Sequence, residues 1–204
     1  MKNYLLLFVF GFLFACAKMG VISGGDKDTI PPVLVTSTPP NKTTNVNEKD
    51  FYFLFDEVID TKEIKEKLIV SPYTDAGFGV ETKKNHLILS FDSAFKNNVT
   101  YIFNFADGIK DITEGNAAKS LKYVFSTGPV IDSLFLTGYT VDPLTNVLKK
   151  DVLVGLYDLK DSLGLFLNKP LYFDYTDSSG FFKIENIFLF CCVLKASFHK
   201  IHDF

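Results

Sequence analysis

The residue whose chemistry the sequence identifies most clearly is Cys16. A short apolar segment, Tyr4 to Phe14, precedes it, with Lys2 before that segment and the small residue Ala15 directly before the cysteine. A positive residue, an apolar run and a small residue at the cleavage point are the parts of a secretory signal peptide. Crossing a bilayer as a helix takes roughly 20 apolar residues, and this segment is shorter. We therefore predict that residues 1–15 are a signal peptide.

The residues around Cys16 also resemble the bacterial lipoprotein signal. In that signal an apolar residue lies three before the cysteine and a small residue directly before it, as Leu13 and Ala15 do here. The resemblance implies that Cys16 receives diacylglycerol and fatty acid such as palmitate, and that the mature chain begins there. Its partner would then be membrane lipid, in the cell envelope and most simply at the outer membrane. An ordinary secretory signal that merely contains a cysteine is the alternative.

The histidines do not form a catalytic pattern. His86 lies in a turn sequence before a predicted strand, where we expect an exposed side chain. His199 and His202 are spaced three apart and could meet a metal on a helix, but no other ligand pattern surrounds them. We predict no catalytic residue, no metal site and no cofactor.

Carboxylates cluster in two places. One cluster is Asp56-Glu57 with Asp60, and the other is Asp107, Asp111 and Glu114. Paired carboxylates serve glycoside hydrolysis, and loop carboxylates bind calcium. Asp and Asn next to Gly are also what turns require. We therefore interpret both clusters as turn and strand-end residues, with calcium as the alternative.

Four triplets resemble the O-glycosylation signal of some Gram-negative envelope proteins, in which Asp is followed by Ser or Thr and an apolar residue. Chance occurrence in a chain rich in these residues is the alternative, because three-residue patterns are weak signals. The triplets begin at Asp28, Asp92, Asp132 and Asp161.

Charge and cysteine content exclude some classes of protein. The formal net charge is -3, and the lysines are interleaved with acids, so no nucleic-acid surface is expected. Besides Cys16 only Cys191 and Cys192 are present, and a disulfide between adjacent cysteines is strained. Apolar packing must therefore stabilise the fold.

The distribution of turn residues and aromatics predicts an all-β chain. Residues 16–29 are rich in small and polar residues and are predicted to be a flexible tether. The chain has 22 Phe and 9 Tyr, types that suit half-buried strands. Apolar residues alternate in Phe51 to Phe55 and in Val99 to Phe105. With these two, about seven short strands are predicted between Val33 and Ser126, and Thr61 to Lys67 is predicted to form one helical turn.

Seven pieces of sequence in order resemble the bacterial Ig-like domain first described in an S-layer protein. The resemblance implies an Ig-like antiparallel β-sandwich over residues 30–128, opened by an edge strand. The glycine that the family usually has in its first turn is absent near Lys42-Thr43, which leaves the turn type open. The pieces begin at Pro31, Ser37, Asn45, Phe53, Asn98, Asp111 and Phe125.

The sequence after Gly128 is similar to prealbumin-like repeats of the carboxypeptidase regulatory and Cna-B kind. The matching pieces are Leu134 to Thr145, Val152 to Tyr157 and Thr176 to Ile184, the last implying a hairpin. The similarity stops after Ile187. We therefore predict a second, incomplete β-sandwich over residues 129–204, with an unpaired edge and a truncated or frameshifted C-terminus.

These observations predict a membrane-anchored envelope lipoprotein that is not an enzyme. Its Ig-like domain would be a structural or interaction module that contacts other envelope proteins or glycans. The alternative is a glycan- or nutrient-binding component of an uptake system. A hydrolase would need an acid or nucleophile constellation that the sequence does not contain.

Overall fold

The computed structural model describes residues 25, 27–118, 121–158, 169–188 and 192–197. Nearly all of the regular structure in these ranges is β-strand, arranged around two separate hydrophobic cores. We call residues 33–128 the N-terminal sandwich and residues 134–197 the C-terminal unit. The predicted boundary between residues 128 and 129 stays a prediction.

The N-terminal sandwich contains nine strands and one helical turn in its described part. They are β1 (Leu34–Thr38), β2 (Asp50–Phe55), β3 (Ile59–Asp60), α1 (Ile64–Lys67), β4 (Ile69–Ser71), β5 (Phe78–Lys83), β6 (His86–Phe91), β7 (Thr100–Asn104), β8 (Lys110–Asp111) and β9 (Lys122–Ser126). The first main sheet has the order β1-β2-β6-β5 and the second β4-β7-β9, while β3 pairs with β8. All of these pairs are antiparallel.

Aromatic side chains from the two main sheets fill the space between them. Phe51, Phe53 and Phe55 alternate along β2 and are at most 1% exposed, as the period of a strand requires. Across the core, the ring of Phe51 lies 5.0 Å from that of Phe103 and 4.8 Å from that of Phe125. These tilted and edge-on contacts are the geometries that aromatic pairs prefer.

The structure confirms the all-β fold class and the predicted edge strand, because β1 lies at the margin of its sheet. The predicted helical turn is present as α1. The strands β3 and β8, two residues each, were not predicted. The missing glycine left the type of the first turn unpredicted. In that turn Lys42 adopts φ 65°, and its N–H donates to the Val124 carbonyl over 2.7 Å.

The C-terminal unit contains two small sheets. Its strands are β10 (Leu134–Tyr139), β11 (Leu153–Asp158), β12 (Tyr172–Tyr175), β13 (Phe181–Ile187) and β14 (Cys192–Ser197). β10 pairs with β13, and the other sheet has the order β12-β11-β14. The core between them is smaller than the first, with Val154, Leu156, Tyr172, Phe182, Ile184 and Ile187 as its buried members.

The hairpin implied at Thr176 to Ile184 is wrong in its pairing. Gly180, at φ 71°, closes a tight turn in which its N–H donates to the Asp177 carbonyl over 2.9 Å. The strands on either side of this turn belong to different sheets, since β12 pairs with β11 and β13 with β10. The turn therefore carries the chain across the core.

The tail sequence beyond the prealbumin-like similarity contributes a strand. β14 pairs antiparallel with β11 from Cys192 opposite Asp158 to Ser197 opposite Leu153. The other sheet leaves apolar side chains outside, since Phe135 and Tyr139 of β10 are 64% and 63% exposed. Within the ranges that the structure describes, no helix has the length and apolar character needed to cross a membrane.

Candidate functional site

Several residues singled out by the sequence lie outside the described residues. They include Cys16, the predicted lipidation site, together with Cys191, His199 and His202. Cys192 begins β14, and its side chain is not described. The lipidation prediction therefore stays a prediction from sequence.

The two predicted acidic clusters come together at one end of the N-terminal sandwich. The pairing of β3 with β8 places Ile59 opposite Asp111 and Asp60 opposite Lys110. Burial raises the pKa of Glu57, and the charges of Asp111 and Asp56 raise it further. A raised pKa is expected where carboxylates repel one another.

Asp111 is the buried member of this acidic end, at 2% exposure. Its Oδ1 accepts hydrogen bonds from the backbone N–H of Thr113, Glu114 and Gly115 over 2.7–3.0 Å. Its Oδ2 accepts one from the Asn116 N–H over 2.9 Å. We call these four donors and their acceptor the Asp111 loop. The Asp111 carboxylate thus accepts the hydrogen bonds of these N–H groups in place of backbone carbonyls.

The pKa of Asp111 follows from opposing effects. Burial raises it, but the N–H groups of Glu114, Gly115 and Asn116 stabilise the charged form and lower it more, so that the pKa falls to about 2. Hydrogen bonds to a carboxylate favour its ionised state in this way. At neutral pH the Asp111 carboxylate is therefore charged, and both of its oxygens accept hydrogen bonds from the backbone.

Three of the other acids, Asp56, Asp60 and Asp107, also have structural partners. Asp56 Oδ1 accepts a hydrogen bond from the Val33 N–H over 2.8 Å, holding the chain just before β1. Asp60 pairs with Lys62 at 2.8 Å, and Asp107 pairs with Lys67 at 3.4 Å. Among the described side chains, no three His, Cys, Asp or Glu are placed to hold a metal ion. The arrangement favours the turn interpretation of the clusters.

The remaining sequence candidates are surface groups. His86 is exposed at the first position of β6, one residue later than the turn to which we assigned it. In the Asp-Ser/Thr triplets, Thr29, Ser93 and Ser133 are exposed, and the hydroxyl of Ser93 donates to Asp92 over 2.8 Å. Ser162 lies outside the described residues.

The sequence did not reveal the contacts that join the two units. The Tyr73 N–H donates to the Leu171 carbonyl over 2.8 Å, and Lys122 pairs with Glu185 at 3.2 Å. The Asn186 side chain also donates to the carbonyl of Asp132, in the linker between the units, over 2.7 Å. One of these contacts is between backbone groups and another has a backbone acceptor, and the sequence gives no signal for which distant residues such groups meet.

The linker between the units is also bonded to the first one. The Asp132 N–H donates to Thr100 Oγ1 over 2.9 Å. Thr100 is 1% exposed, and its neighbour on the same face of β7, Ile102, is 6% exposed. Both faces of β7 are therefore buried, which the alternation of its sequence did not predict.

Comparison with protein families gives one match. Residues 28–127 match a family described as "Bacterial Ig-like domain". The search of curated proteins found no match to this sequence.

Comparison with solved structures gives distant similarities. The N-terminal part of the bacterial S-layer protein SbsC is 12% identical with a TM-score of 0.36, over 76% of this chain and 44% of that one. An L,D-transpeptidase from Mycobacterium smegmatis is 11% identical with a TM-score of 0.35, over 82% of this chain and 77% of that one. A longer structure of SbsC is 17% identical with a TM-score of 0.36, and the similarity covers 74% of this chain. This chain spans 18% of the length of that structure.

Proposed function

Because residues 28–127 belong to the bacterial Ig-like domain family, we propose that this chain is a cell-envelope lipoprotein whose Ig-like domain is a non-enzymatic structural or interaction module. The proposed anchor is diacylglycerol on Cys16, in the outer membrane. Fold alone does not determine function, so the residues of the domain must carry the argument.

The observation that carries the proposal is the use of the domain's acids. In the Asp111 loop and in the bond from Val33 to Asp56, a carboxylate accepts hydrogen bonds from backbone N–H groups and so holds a segment of the fold in place. A general acid or base instead needs to reach a substrate proton. The engagement of these two carboxylates in backbone hydrogen bonds supports the proposal of a structural module.

The segment between the proposed anchor and the first strand suits a tether. Cys16 and Leu34 are 18 positions apart (34 − 16), a length that reaches at most roughly 60 Å when extended. Gly20, Gly24 and Gly25 lie within it. Such a segment would let the sandwich stand clear of the lipid headgroups.

The edge of the first main sheet is the proposed contact surface for other envelope proteins. Among the described strands β1 pairs only with β2, and Val33 and Val35 are 54% and 60% exposed. An extended segment of a partner can add to an open sheet edge through backbone hydrogen bonds. The proposal is therefore a spacer that can also receive a strand.

The experiment that tests the anchor is replacement of Cys16 by serine. We expect the wild-type chain to incorporate labelled palmitate and to sediment with membranes, because two or more acyl chains give stable membrane attachment. Cys16→Ser should lose the label completely and leave the membrane fraction. The measurement is label incorporation together with the mass of the mature N-terminus.

Cys192→Ser is the matched control and should keep both the label and the membrane fraction. A free thiol at a processed Cys16 in the wild-type chain would overturn the anchor. Retention of the purified full chain on a polysaccharide affinity gel would overturn the spacer in favour of glycan capture.

A further inference from the structure

A cleft of about 570 Å³ lies where the two units meet. The N-terminal sandwich contributes the segment from Lys65 to Phe78, together with Ala106 and Asp107, and the C-terminal unit contributes Lys169 and β12. The hydrogen bond from the Tyr73 N–H to the Leu171 carbonyl connects the two walls. Ligand clefts in proteins have volumes of roughly 300–1,000 Å³, so this one suits a small molecule.

Aromatic rings line both walls of the cleft. Tyr73 and Phe78 come from the N-terminal sandwich, and Phe173 and Tyr175 come from β12. Phe173 and Tyr175 are two residues apart, so they share one face of their strand, while Tyr172 lies in the core on the opposite face. The two rings are 6.2 Å apart, edge to face. This face of β12 therefore presents two aromatic rings to the cleft.

Lysines outnumber acids around the same cleft. Its lining includes Lys65, Lys67 and Lys169, against Glu66 and Asp107. Asp107 is engaged with Lys67 at 3.4 Å. Ion pairs between described residues include neither Lys65 nor Lys169, and the Lys169 ammonium instead lies 4.9 Å from the centroid of the Tyr73 ring. Positive charge thus adjoins the aromatic wall.

We propose that this cleft binds a small anionic ligand with a flat apolar body. The body packs against Tyr73, Phe173 and Tyr175, and the anionic group lies near Lys65 and Lys169. Aromatic packing supplies affinity through contact area, and the two ammonium groups select anions over neutral or cationic molecules. Both units contribute to the site. Lys65 and Tyr73 belong to the N-terminal sandwich, and Lys169, Phe173 and Tyr175 belong to the C-terminal unit.

The probe for this proposal is 8-hydroxypyrene-1,3,6-trisulfonate, a flat aromatic anion whose fluorescence anisotropy rises on binding. The full chain in non-ionic detergent should bind one equivalent in a saturable manner, and the affinity should fall as salt screens the lysines. Lys65→Gln with Lys169→Gln should weaken binding about tenfold, since each exposed charge pair contributes up to about fivefold. Both side chains are exposed, so the variant should keep its circular dichroism and melting temperature.

The matched control is Lys27→Gln with Lys150→Gln, which removes the same charge from exposed positions that do not line the cleft. It should bind the probe as the wild-type chain does. Absence of saturable binding, or equal loss in both double variants, would refute the cleft as the site. Displacement of the probe by neutral maltohexaose, or equally tight binding of the flat cation methylene blue, would refute the ligand class.

Discussion

Phe51→Ala is expected to lower the free energy of unfolding of the N-terminal sandwich by about 3–5 kcal/mol. The Phe51 side chain is 0% exposed and lies in the middle of the aromatic core. Its ring is 4.8 Å from that of Phe125 and 5.0 Å from that of Phe103. Removing the ring leaves a cavity between two sheets that cannot close without losing their strand pairing. Denaturant unfolding followed by circular dichroism measures the effect.

Tyr52→Ala is the matched control. Tyr52 is an aromatic residue of the same strand, β2, but its side chain is 47% exposed, so its removal should change the free energy of unfolding by about 1 kcal/mol or less. Equal losses in the two variants would show that the aromatic core between the main sheets does not dominate stability.

Asp111→Ala is expected to lower the melting temperature by on the order of 5–10 °C. The substitution leaves the backbone N–H groups of Thr113, Glu114, Gly115 and Asn116 without the carboxylate that accepts their hydrogen bonds. Unpaired backbone donors in a part-buried loop destabilise a protein more than the loss of an exposed charge. Asp107→Ala, which removes an acid paired with Lys67 at the surface, should change the melting temperature by no more than about 2 °C.

The same carboxylate predicts a pH dependence. The pKa of Asp111 falls from 3.8 to about 2 in the folded chain, so its contribution to stability is present above pH 4. It is lost as the pH falls from about 4 through about 2, because the unfolded state takes up the proton first. The melting temperatures of wild type and Asp111→Ala should therefore converge below about pH 4. A constant difference down to pH 2 would contradict this assignment.

Much of the fold could be predicted because it depends on local patterns. Alternation in Phe51 to Phe55 predicted a strand with one buried face, and the buried phenylalanines confirm it. The resemblance of the sequence at Pro31 to the Ig-like domain implied an edge strand, and β1 lies at the margin of its sheet. The helical turn at Thr61 to Lys67 followed from its charged, helix-tolerant residues. Each of these signals lies within a few residues of the structure that it predicts.

The short strands β3 and β8 escaped prediction for the same reason. Two residues do not form a periodic pattern, and their pairing joins positions that are about 50 residues apart. The error at the turn closed by Gly180 has a related cause. The sequence showed a tight turn there, but which sheet each flanking strand joins is decided by its partners elsewhere in the chain.

The sequence by itself determined most of the strand pattern of the N-terminal sandwich, the match of residues 28–127 to the bacterial Ig-like domain family and the prediction that Cys16 is lipidated. These depend on residue types at short spacing, which a linear chain displays directly. Tertiary structure alone decided that the acidic clusters meet around Asp111, that both faces of β7 are buried, and that Tyr73 and Lys169 share a cleft. Such contacts join residues far apart in the chain, and the residue types at one position do not specify which distant residue it meets.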